Sequence, residues 1–186
     1  MSVAALTYDE LKRLLKPRID FLWGNFTLAS GKKSDFYING KTTTLRPDAL
    51  YYAARMFLTL LKDANPDRVG GLTLGADALI GAITCLSFEM GCPMEGFIVR
   101  KEPKTHGTAQ WIEGPPIIVG QRIAIIEDIV TTGQSALKAV ERVRLAAPDV
   151  NIIGVYALVD RLDGGEACLK EAGLPLHALF TKNELM

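Results

Sequence analysis

Histidine and cysteine are scarce in this sequence. It has two histidines and three cysteines in 186 residues, and Cys85, Cys92 and Cys168 form no CxxC pair. Clustered thiols and imidazoles are the material of structural zinc sites and disulfide frameworks, so neither is expected here. No apolar run approaches the ~18 residues of a membrane span, so no membrane partner is expected. Met1-Ser2-Val3-Ala4-Ala5 lacks a charged segment ahead of an apolar core. No secretory leader is therefore read, and a cytoplasmic location is the default. Net charge is absent too, with 21 Lys+Arg against 21 Asp+Glu. A broad basic face for nucleic acid is not expected, and any anion site must come from local clustering.

What is present suits one domain with a full core: 48% hydrophobic and 23% charged residues, with no internal repeat, linker or low-complexity tract. One stretch stands out. Ile123-Ala124-Ile125-Ile126 is an apolar, β-branched run of the kind buried on both faces of a parallel sheet. Glu127 and Asp128 follow it, then Ile129 and Val130, and then the polar turn Thr131-Thr132-Gly133-Gln134-Ser135. From Ser135 to Val143 the apolar residues take helical spacing. The unit therefore reads strand, acidic pair, hydroxyl-and-glycine turn, helix.

That turn has the chemistry of a phosphate site. Three hydroxyls surround a glycine that lets backbone approach a ligand, and the free N–H groups of a helix start present partial positive charge. Two carboxylates just upstream suit the hydroxyls of a sugar, so the ligand class is a sugar phosphate. A strand edge with two solvated acids and an ordinary hydroxyl-rich helix cap is the plainer alternative.

The stretch resembles the phosphoribosyl-pyrophosphate signature of the type I phosphoribosyltransferases. The resemblance implies an α/β fold, with a central, mostly parallel sheet flanked by helices and a small N-terminal hood. It implies that the two acids meet ribose hydroxyls and that Thr131 to Ser135 hold the 5′-phosphate, with Ile129 and Val130 also among the substrate-binding residues.

Elsewhere the chain supplies ordinary signals. Thr7-Tyr8-Asp9-Glu10 has capping-box spacing ahead of Leu11, Leu14 and Leu15, and Pro17 ends that helix. Phe21 to Asn39 alternates around Gly31 like a short hairpin. Gly31-Lys32 mimics the end of a nucleotide P-loop, but the required first glycine falls at Phe26, leaving Lys32 and Lys33 as a solvated turn. Pro47 opens a helix to about Lys62. Arg68 to Gly75 reads as a glycine-rich strand end before a helix from Ala76 to Met90. Glu95–Val99, Asn151–Val159 and Leu176–Phe180 are further strands, with a helix near Glu166–Ala172.

Three segments bear on function. Phe36 and Tyr37, beside Lys41, serve equally as core or as a lid over a planar anionic ring. Arg100-Lys101-Glu102-Pro103-Lys104-Thr105-His106-Gly107 gathers three cations and a histidine in a segment whose Pro and Gly disfavour regular structure. It suits neutralising an anionic leaving group, although most charge runs are solvated loops. Arg161, at the end of a core strand, is either a carboxylate partner or half of a surface pair with Asp160.

Residues 26–31 with Ser34, Phe36, Tyr37 and Asn39, together with R-K-E-P-K-T-H-G, resemble the hood and catalytic loop of orotate phosphoribosyltransferases. That resemblance covers the chain from about Phe26 onward. It implies a single domain over 1–186, with the N-terminal helix and hood in about 1–45 and the core in about 46–186. It implies orotate and phosphoribosyl pyrophosphate as substrates, with Mg²⁺ carried by the pyrophosphate rather than by protein ligands, and pyrimidine synthesis as the setting. Arg100, Lys101, Lys104, His106 and Asp128 become candidate catalytic residues. Leu72, Thr73, Leu74 and Gly75 become the pyrophosphate loop, and Arg161 with Thr131 the orotate-carboxylate contact. A homodimer is implied, with loop 100–114 reaching the neighbouring site. The chain departs from some members at Ala29 and near Gly75, where they carry lysines; Lys41 is a candidate replacement. Transfer to another base, or a non-catalytic sensor of phosphoribosyl pyrophosphate, are the alternatives.

Overall fold

The structure is a computed structural model that describes residues 6–27, 31, 33–103 and 110–186. Helix α1 (Tyr8–Leu15) starts on the anticipated capping box: Glu10 N–H donates to the Thr7 hydroxyl at 3.3 Å and Thr7 N–H to the Glu10 carboxylate at 2.8 Å. A short 3₁₀ turn carries Pro17 away from it. Strands β1 (Phe21–Thr27) and β2 (Lys33–Ile38) form a separate antiparallel pair, followed by a one-turn helix α2 (Gly40–Thr44) and then α3 (Pro47–Ala64). The remaining chain alternates: β3 (Arg68–Leu72), α4 (Asp77–Glu89), β4 (Glu95–Val99), β5 (Ile112–Glu113), β6 (Arg122–Val130), α5 (Gln134–Ala146), β7 (Asn151–Asp160), α6 (Gly165–Glu171), β8 (Leu176–Thr181) and α7 (Lys182–Leu185).

The main sheet has the order β5-β4-β3-β6-β7-β8, and every pairing is parallel except the two-residue edge strand β5. The period-2 alternation of β6 divides the core in two. Ala124 and Ile126 join α1, α3 and α4 on one face; Ile123 and Ile125 join α5 on the other. At about 1.5–3 kcal/mol for each large apolar side chain buried, these two layers dominate the stabilisation of the fold.

The sequence order reverses between β3 and β6: the chain moves outward to β4 on one side and to β7 and β8 on the other. Ligands of open parallel sheets bind outside the carboxyl ends of the strands at such a reversal. Here the segments leaving β3, β6 and β7 are Thr73–Gly75, Thr131–Ser135 and Arg161, the same segments singled out from the sequence.

Candidate active site

Strand β6 does not stop before the acids; its ladder with β7 continues through Glu127↔Ala157 to Val130↔Asp160. Glu127 and Asp128 are therefore strand residues, and alternation sends them to opposite faces. Asp128 shares the face of Ala124 and Ile126. There its carboxyl packs against the backbones of Gly40 and Gly75, at positions where any Cβ would collide with it. Glycine at both positions is what lets α2 and the loop after β3 close around this acid. Burial raises the Asp128 pKa, and the Ile129 amide (2.8 Å to Oδ1) and the Lys41 charge pull it back down.

Glu127 shares the face of Ile123 and Ile125, under the start of α5. It is 4% exposed, and its Oε1 has no hydrogen-bond partner among the described residues. Burial, then repulsion from Asp128, pushes its pKa up to about 8. The carboxyl lines a hollow of about 70 Å³ with Ile129, Val130, Thr131, Thr132, Gly133, Gln134 and Ser135. Gly133 adopts φ +79°, a conformation that favours glycine, and starts α5 there. The hollow has phosphate dimensions and faces the N–H groups of a 13-residue helix.

Beside it lies a larger cavity of about 730 Å³, lined by Thr131, Thr132, Phe36 and Arg161, and by Asn25, Phe26, Lys33, Ser34, Asp35, Asp163 and Lys182. Arg161 is 3% exposed. Its N–H is held by the Val130 carbonyl (2.9 Å), its Nε donates to Asp163 (3.0 Å) and its Nη2 to the Ser34 hydroxyl (3.2 Å). The guanidinium lies over the Phe36 ring, 4.2 Å from its centre, and Phe36 stacks in parallel on Phe21 at 5.3 Å. The small sheet is thus fastened over the carboxyl edge of the large one by an aromatic and a cation. Alternation along β2 separates the aromatic pair: Phe36 faces the cavity and core, whereas Tyr37 faces out and packs on Phe26.

The remaining sequence candidates take other positions. Leu72 ends β3, half-buried. Thr73 receives the Val99 carbonyl on its N–H and donates its hydroxyl to Asp77 at 2.7 Å, the Thr73–Leu74 peptide is cis, and Leu74 is exposed. Arg100 is tied to Glu113 (3.1 Å) and to the Glu102 carbonyl, and its N–H to the Trp111 carbonyl (2.8 Å), at the base of the loop. Lys101 is exposed, and neither cation lines the two hollows. Lys104, His106 and Ala29 lie outside the described residues. Among the described residues, no three His, Cys, Asp or Glu side chains converge to hold a metal ion.

Asp163 and Lys182 were not anticipated. Neither belongs to a motif, and their signal was positional: each follows the carboxyl end of a core strand.

A phosphate-sized helix-start hollow, an acid pair at the central strand's end and a small antiparallel sheet over the carboxyl edge define a type I phosphoribosyltransferase. No family model matches the chain. It is 43% identical over 183 residues to the orotate phosphoribosyltransferase of Aquifex aeolicus, covering 97% of this chain and 98% of the relative. The structure superposes with TM-score 0.79 on orotate phosphoribosyltransferase of Mycobacterium tuberculosis bound to Fe(III) dicitrate, at 36% identity over 96% of this chain and 98% of the other. A structure of the M. tuberculosis enzyme in complex with phosphoribosyl pyrophosphate superposes with TM-score 0.73, at 31% identity over 96% and 91% of the two chains. The chain belongs to the orotate phosphoribosyltransferase family.

Proposed function

We propose that this protein transfers the phosphoribosyl group from phosphoribosyl pyrophosphate to orotate, yielding orotidine 5′-monophosphate and pyrophosphate in pyrimidine synthesis. The observation that carries the reading is the position of Arg161. A buried guanidinium shares one cavity with the Thr131-Thr132 turn, so a phosphoribosyl group seated on the turn has a carboxylate-binding cation within the same hollow.

In this reading the 5′-phosphate sits on Thr131–Ser135. Asp128 takes the ribose hydroxyls from the Gly40–Gly75 side and Glu127 supports them from the side of the phosphate turn. As pyrophosphate departs, the anomeric carbon gains oxocarbenium character, and catalysis is positioning plus charge stabilisation. Pyrophosphate takes backbone N–H groups of the loop after β3 at Leu74 and Gly75, the Thr73 N–H being held by the Val99 carbonyl, and the charge of Lys41. Arg100, Lys101, Lys104 and His106 close over it and exclude water. Mg²⁺ enters chelated by the substrate and supplies neutralisation of the pyrophosphate.

The same reading makes the protein a cytoplasmic homodimer whose loop 100–114 completes its neighbour's site. No helix among the described residues is long and apolar enough to cross a membrane. The exposed face of α4 supports dimerisation: Gly81, Cys85 and Phe88, at positions i, i+4 and i+7, leave an apolar stripe uncovered.

The test is an assay with Mg²⁺, phosphoribosyl pyrophosphate and either orotate, uracil, adenine or hypoxanthine. Consumption of orotate alone, with pyrophosphate released, is the expected result. Turnover of a different base would discard the substrate assignment, and tight binding without turnover would favour a sensor.

A further inference from the structure

Arg161 does not have a free fork to offer a substrate. Its Nε is committed to Asp163 and its Nη2 to Ser34, and only Nη1 lacks a partner among the described residues. A carboxylate arriving in the cavity can take one hydrogen bond from this side chain without dismantling the pair below it. Its second oxygen needs another donor.

Lys182 is the cation placed to supply it. It opens α7, directly after the carboxyl end of β8, and lines the cavity together with Arg161. Its Nζ lies 3.7 Å from Asp163 Oδ1, too long for a committed hydrogen bond, and 5.6 Å from the centre of the Phe36 ring on which Arg161 also rests. Its side chain keeps 26% of its surface, against 3% for Arg161. Asp163 thus spans two cations, one buried and bonded, the other loosely paired and open to the cavity.

Charge balance points the same way. Among the described residues, the lining carries Lys33, Arg161 and Lys182 against Asp35 and Asp163, one cation in excess. Of the three, Lys33 donates to the Thr27 hydroxyl at 2.8 Å. A single monoanion would balance the charge of these described side chains.

We propose that Lys182 is a second carboxylate-binding residue of the base subsite, gripping the ring carboxylate jointly with Arg161, and that it sets the preference for an acidic pyrimidine over a neutral one. The proposal rests on the orotate reading above. Arg161 orients from beneath and Lys182, with three rotatable donors, closes from the rim.

The test compares wild type, Lys182→Met and Lys182→Arg in steady-state assays that vary orotate and phosphoribosyl pyrophosphate separately. Met keeps the aliphatic stem over Phe36 and removes only the charge. Loss of one charge-assisted hydrogen bond raises the KM for orotate about tenfold in Lys182→Met. The KM for phosphoribosyl pyrophosphate and kcat stay within about twofold, and Lys182→Arg recovers most of the loss. A merely structural role would raise both KM values or lower kcat, and either result overturns the proposal. An unchanged orotate KM in Lys182→Met overturns it while leaving the orotate reading intact. Failure of the wild type to consume orotate overturns both.

Discussion

Asp128 and Gly40 are in direct contact: a Cβ built on Gly40 would lie 2.8 Å from the Asp128 carboxyl carbon. Gly40 sits at the first position of α2, where alanine is conformationally acceptable. The obstacle to a methyl group is therefore the catalytic candidate itself.

Gly40→Ala consequently displaces the catalytic candidate. The added methyl would meet the Asp128 Cβ at 2.9 Å as well as the carboxyl, and strand β6 holds that Cβ in place, so α2 and the acid must both shift and unfolding free energy falls by about 1–3 kcal/mol. Misplacing an acid that orients the ribose by about an ångström costs about a hundredfold in kcat/KM. Kinetics and denaturant melts on the same preparation check both. Wild-type kcat/KM would remove Asp128 from the reacting centre.

Glu127 gives a prediction with a sign. Its native pKa, about 8, lies above the ordinary 4.5, so the folded state holds this proton more tightly than the unfolded chain. Its contribution to stability is complete below pH 4.5 and is lost as pH rises toward 8, at a slope of up to about 1.4 kcal/mol per pH unit. Glu127→Gln carries no such proton. The melting temperature of the variant minus that of the wild type should grow steadily from pH 5 to pH 8. A gap that is constant or shrinks across that range rules out a buried, proton-holding Glu127.

Much of this site could be read in the sequence, because the phosphate turn, the acids and Arg161 lie on local patterns tied to one strand–turn–helix unit. What escaped depended on long-range packing. The acids read as the residues after a strand, whereas pairing with β7 extends β6 to Val130 and turns them to opposite faces. Helix α2 was invisible because Gly40-Lys41-Thr42-Thr43-Thr44 is rich in poor helix formers. It is held by the Asn39 cap and by Thr43, whose hydroxyl accepts the Asp20 N–H at 3.0 Å. Lys182 and Asp163 are 19 residues apart and meet only when β7 and β8 pair.

Phe88 tests the assembly. At 79% exposure on α4, it is a large apolar side chain that no described residue covers. If a second copy covers it, Phe88→Glu buries a charge in that interface and shifts the protein toward monomer in sedimentation at micromolar concentration. Activity should then rise with protein concentration more steeply than linearly, because each site needs its neighbour's loop. A dimer that persists in this variant would move the interface away from α4.

Lys104 tests the loop. Arg100, its neighbour at the base, is already engaged by Glu113 and the Glu102 carbonyl, so closure over pyrophosphate would require Arg100 to exchange partners or leave the work to cations nearer the tip. The sequence places Lys104 and His106 there. Lys104→Ala should therefore lower kcat by at least about tenfold, the scale of a lost transition-state donor, with an unchanged melting temperature. Glu113→Gln weakens the competing hold on Arg100 and should leave kcat within about threefold. If Glu113→Gln instead costs as much as Lys104→Ala, the Arg100–Glu113 pair is part of the closed, catalytic geometry rather than a resting contact. If Lys104→Ala turns over at the wild-type rate, the leaving group is stabilised elsewhere, and Lys41 beside Asp128 becomes the cation to remove next.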